Sequence, residues 1–137
     1  MLTCLPSSNI AQSVSPPPAR EPPPGEGVIC AWAIYTTVAE VGGTCFPGEN
    51  PALQAELRRS VSRIDDYVLR NRKGATPEQL TEFKRQQGHV GAPAARLCVA
   101  DAIQLYRSLE KAGAAKLSAG VDAMVARDGE PTWGTCL

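Results

Sequence analysis

The sequence predicts an all-α fold: a small bundle of four to five helices, held by two disulfides and preceded by an extended proline-rich N-terminal tail. Three observations carry this. Hydrophobic residues make up 43% of the chain but aromatics only 5%, so the core is built from Ala, Leu, Val and Ile, which suits packed helices better than a β-sandwich. Apolar residues in the body recur three and four positions apart between recognisable helix caps. The one stretch rich in β-branched residues has no second stretch of similar character to pair with as a strand.

Residues 1–27 form the tail. They hold seven of the twelve prolines, including Pro16-Pro17-Pro18 and Pro22-Pro23-Pro24. Such runs favour polyproline II and cannot enter a helix interior. The tail is a spacer, or a ligand for an aromatic groove on a partner through prolines such as Pro17 and Pro23. Residues 28–137 form the helical domain.

The first helix is expected over residues 28–41. It is apolar nearly all round, which places it in the middle of the bundle, and Gly42-Gly43 should end it. The second opens with Asn50 as N-cap and Pro51 at the first helical position, where no N–H is needed. Leu53, Leu57, Val61, Ile64 and Val68 then form one apolar stripe. Thr76-Pro77-Glu78-Gln79 is a capping box that opens the third helix. Leu80 and Phe83 give that helix a narrow apolar edge, and Gly88 is its stop. A fourth helix is expected from about Pro93 to Ala112, with a face wide enough for a central position. A fifth, over about 114–127, carries Leu117, Val121 and Met124.

The five cysteines stand at 4, 30, 45, 98 and 136. No CxxC pair is among them, which removes the common zinc-ribbon and thioredoxin-like patterns. Wide spacing favours disulfides between distant elements, hence an oxidising compartment, periplasmic or secreted. Cys30 and Cys45 flank the first helix about 20 Å apart, too far to join each other. Each therefore reaches Cys98 or Cys136. Cys45–Cys98 with Cys30–Cys136 is the preferred pairing, and the exchanged pairing stays open. Cys4 is the odd one left over. A cysteine before a polar Pro/Ser-rich stretch is how an acylated lipoprotein begins, so Cys4 is a candidate lipid anchor. The most apolar run, Val28 to Ala39, is shorter than the roughly 20 residues of a membrane span.

Lys plus Arg and Asp plus Glu are 14 each. This balance argues against nucleic acid as a partner. His89 is the only histidine, and no set of residues has the spacing of a metal site, a phosphate loop or a dinucleotide motif. No catalytic residue, cofactor or metal is expected. The Asp65-Asp66 and Glu78…Glu82 pairs read as solvated surface. Residues 51–73 hold six basic and three acidic groups, and Arg59, Arg63 and Arg70 on that helix are candidate partner contacts. Trp32 reads as core. Trp133, in a terminal Pro-Thr-Trp-Gly turn, either covers the bundle end or anchors a partner. The functional expectation is a non-catalytic accessory protein of a bacterial cell envelope that binds a protein partner or larger assembly. The alternative is a soluble periplasmic or secreted inhibitor or immunity-type protein that blocks a toxin or enzyme.

Overall fold

The computed structural model describes residues 21–135. Those residues form six helices and no strand: α1 (Val28–Cys45), α2 (Pro51–Asn71), α3 (Pro77–Gln87), α4 (Ala94–Leu97), α5 (Ala100–Ala112) and α6 (Ala114–Val125). α1 is the hub. It packs on α2, α3, α4 and α5, while α6 lies against α2 and α5. By length and composition alone α1 could cross a membrane. In the fold its apolar sides are taken up by the four helices around it, burying Val28, Ile29, Trp32, Val38 and Val41.

The local signals of α2 and α3 act as their sequences imply. The Asn50 side chain accepts from the Leu53 N–H at 3.3 Å. In the Thr76 box both reciprocal bonds form, each at 3.2 Å. Leu53, Leu57, Ile64 and Val68 of the expected stripe are buried, and Val61 packs against the core partly exposed. Gly88 caps α3, closing on the Lys84 carbonyl.

Two expected boundaries are corrected. α1 does not stop at Gly42-Gly43 but runs on to Cys45. Gly42 is helical because the helix passes close to α5 there: a Cβ on it would stand 2.9 Å from Tyr106 Cε2. The expected fourth helix is two helices, broken at Cys98-Val99. In one unbroken helix Leu97 and Tyr106 would point about 180° apart. The break lets both be buried, at 2% and 0% exposure. Nor is α5 central, since Tyr106 is its one fully buried residue.

The Cys45–Cys98 disulfide is formed, with a Cα–Cα distance of 5.7 Å. It ties the end of α1 to the α4–α5 break. Its sequence separation of 53 corresponds to about 4 kcal/mol in the chain-entropy model. Beside it Phe46 stacks on Tyr106 at 5.0 Å, and the Arg107 guanidinium lies 4.1 Å over the Phe46 ring. The Gln54 amide donates to the carbonyls of Phe46 and Glu49 at 2.8 and 2.6 Å, securing the α1–α2 turn. Cys30 is not without a partner. Its expected pairing with Cys136 lies outside the described residues.

The two glycines at the end of α1 make opposite demands. Gly42→Ala should lower the unfolding free energy by about 1–3 kcal/mol, because the added methyl must push into Tyr106. Gly43→Ala meets nothing within 4 Å and should raise it by up to about 1 kcal/mol through helix propensity. Urea denaturation of both variants checks this. A gain from both would mean that α1 and α5 do not approach so closely.

Candidate functional site

The end of the bundle opposite the Cys45–Cys98 bond is built on Trp32. This side chain is 2% exposed, and its indole N–H must find an acceptor. It donates to Asp65 of α2 at 2.8 Å. The other oxygen of Asp65 takes Lys84 of α3 at 2.7 Å. Asp65 is therefore not the solvated surface group its sequence suggested; one half-buried carboxylate joins three helices. The capping box fixes the register of α3, so Leu80 and Phe83 face α1. Phe83 stacks on Trp32, with centroids 4.3 Å apart and planes 9° from parallel.

Trp133 comes to this place on a non-helical segment that is bonded on both sides. The Thr132 carbonyl accepts from the Ile29 N–H at 3.1 Å, and the Thr132 N–H donates to Gly25 at 3.0 Å. The first bond serves an amide that the uncapped start of α1 would leave unpaired. Upstream, the buried Tyr67 hydroxyl is within hydrogen-bond distance of the carbonyls of Arg127 (2.9 Å) and Gly129 (3.2 Å). Asp128 accepts from Arg70 at 3.0 Å and Asn71 at 3.1 Å. Hydrogen bonds from Asn71 and then Arg70 hold the Asp128 carboxyl below the ordinary carboxylate range. Burial, then the Asp128 charge, raises the Tyr67 phenol above its usual 10.0.

The result is an open cleft of about 460 Å³. Ile29, Trp32, Leu80 and Phe83 form its apolar floor. Trp133 stands at its mouth, 50% exposed, with its ring 5.8 Å from Phe83 and tilted by 50°. Arg72, Lys73 and Gln79 are on its rim. The cleft lining holds two cations and no carboxylate.

The other sequence candidates are dispersed. Arg59 pairs with Glu56 at 3.2 Å and lies 3.4 Å from the Ser118 hydroxyl. Arg63 meets Asp122 at 2.6 Å, and Arg70 meets Asp128. These arginines bind α6 and the C-terminal segment to α2. Pro23 is exposed and accepts from the Glu26 N–H at 3.1 Å. Cys98 is bonded to Cys45. Cys4, Pro17 and Cys136 lie outside the described residues. Among the described residues no group of three or more His, Cys, Asp and Glu is placed to hold a metal. The sequence reading missed Arg72, Lys73, Phe83 and Asp65 as one site. The available signal was the short 72–75 link followed by the capping box, which turn α3 back onto α1 and bring Lys84 to Asp65 of α2.

Comparison with family models, curated proteins and solved structures yields no match to this chain.

Tyr67→Phe tests how the Trp133 segment is held. It should cost about 1–2 kcal/mol in stability and speed hydrogen exchange at residues 127–133. The raised phenol stabilises the fold fully below pH 10.0, and that contribution is lost as pH rises through the folded value. The variant should accordingly lose part of the alkaline fall in stability. Unchanged exchange in the segment would show that Tyr67 does not hold it.

Proposed function

We propose that this chain is a non-catalytic binding protein that works by protein–protein contact in an oxidising compartment outside the cytoplasm, as an accessory component of a bacterial cell envelope. The observation that carries the reading is the half-exposed Trp133 at the mouth of an apolar cleft with an uncompensated cationic rim. Tryptophan beside arginine at the edge of a pocket is the composition of interface hot spots. The tryptophan is also held in place, so little ordering remains to be done on binding. The Cys45–Cys98 disulfide supports the compartment, since such bonds persist where thiols are not kept reduced.

A second staple, Cys30–Cys136, belongs to the same reading. A Cβ placed on Gly27 would stand 3.2 Å from the Thr135 carbonyl, so the residue before α1 and the C-terminal segment meet within a few residues of both cysteines. Cys4 serves as the lipid attachment point and the proline-rich tail of residues 1–27 as the tether between membrane and bundle, its last residues, 25–27, being seated on the bundle.

Site-specific photo-crosslinking in the native cell tests the contact. A benzophenone side chain in place of Trp133 should give a discrete protein adduct that the same group in place of the exposed Ala119 does not give. Intact mass of the purified protein should show loss of four protons and an added acyl mass. No adduct above the Ala119 control, or fully reduced cysteines, would contradict the reading.

A further inference from the structure

We infer that the Trp133 cleft receives an extended, acidic segment of a partner protein, with an apolar ring (aromatic or prolyl) laid on Trp133 and a flanking carboxylate on Arg72 and Lys73. This rests on the docking reading above and names the chemistry of the partner.

The charge of the cleft comes from two cations left unpaired. Arg59, Arg63, Arg70, Lys84, Arg85, Arg107 and Arg127 each have a carboxylate within 4.0 Å. Arg72 and Lys73 have none among the described residues, and neither do Arg58, Arg96, Lys111 and Lys116, but only Arg72 and Lys73 stand together on the rim of the Trp133 cleft. They are adjacent, both exposed, and both on one rim. Their backbone is fixed: the Arg72 N–H closes α2 on the Val68 carbonyl at 2.9 Å, and the Ala75 N–H returns to Arg72 at 3.1 Å. Two adjacent cations on a fixed backbone, beside an apolar floor, attract an anion whose neighbouring group is apolar.

The ring requirement follows from exposure. Trp32 is sealed by Phe83, so the face on offer is that of Trp133. A flat, stiff group covers such a face at low entropic cost, and polyproline segments dock against aromatic-lined grooves for the same reason.

A stretch of single-stranded nucleic acid would also combine stacking with negative charge. The surroundings disfavour it. The next cleft along the Trp133 segment is lined by Glu26 and Glu130, and Glu78 is exposed on the first turn of α3. A chain with a phosphate at every step would run into these carboxylates. A peptide can carry its acidic residues locally.

The test is ¹⁵N NMR titration of the full chain, reading the Trp133 indole signal and the amides of residues 72–75. The probes are the capped pentapeptide Glu-Asp-Phe-Pro-Glu, its Gln-Asn-Phe-Pro-Gln counterpart, and hexathymidylate. The acidic peptide should move these signals and not those near Cys45. The neutral peptide should bind roughly tenfold more weakly. Arg72→Glu with Lys73→Glu should remove the preference, and Trp133→Ala should weaken both peptides. Neither charged side chain makes an ion pair or side-chain hydrogen bond among the described residues, so the double variant should unfold as the parent does.

Equal binding of the two peptides overturns the proposal. So does a stronger shift with hexathymidylate. Groove signals that move with protein concentration, or that no peptide can move, would mean that a second copy or the chain's own first twenty residues fills the cleft, and would overturn it too. If the Trp133 adduct forms in cells but survives the Arg72/Lys73 reversal, the acidic chemistry fails while the docking reading stands.

Discussion

The structure depends on the bond from the Trp32 indole to Asp65. A tryptophan in the most buried helix brings a large apolar surface and one donor that must be satisfied away from water. Asp65 satisfies it, and the carboxylate's own demand is met by Lys84. Three helices meet at one side chain, α1 through the tryptophan, α2 through the aspartate and α3 through the lysine. Removing Asp65 would strand a buried donor and leave Lys84 without its partner, a loss of about 1–3 kcal/mol for the donor alone. The bond also fixes the plane of the indole. That plane sets Phe83, and Phe83 forms the wall beside Trp133.

The two ends of α1 are closed by different means. At Cys45 the closure is covalent, with the Phe46–Tyr106 stack and Arg107 covering the bond. At Trp32 the closure is polar and aromatic, and it is left incomplete on one side. The chain spends its C-terminal segment there, tied down by Tyr67, Asn71 and the first turn of α1, and still leaves half of Trp133 in water.

Much of the fold was legible in the sequence because caps and stripes are local. Asn50-Pro51, the Thr76 box and Gly88 each act within one turn of their own position, and the structure uses all three as expected. The elements misjudged depend on contacts from far along the chain. Gly42 looks like a helix stop until Tyr106 is known to lie against it. The break at Val99 is invisible in periodicity, because Leu97 and Tyr106 each fit a helical pattern and conflict only when both must face one core. Asp65 reads as surface until Trp32 arrives from the neighbouring helix. The site was legible in pieces. Trp133 stood out, while Arg72 and Lys73 were lost among the other arginines of α2, whose partners on α6 and the C-terminal segment cannot be seen in one dimension.

The central claim is that Asp65, through Trp32 and Phe83, holds the Trp133 cleft in shape. Hydrogen exchange of the two tryptophan indoles in the parent and in Asp65→Ala tests it most directly. The parent's Trp32 indole should exchange only by global unfolding, with protection equal to the whole stability of the protein. In Asp65→Ala that protection should fall below the remaining global stability, and the Trp133 indole resonance should shift although residue 133 is untouched. A Trp32 indole that exchanges freely in the parent, or a Trp133 signal indifferent to the loss of Asp65, would contradict the account.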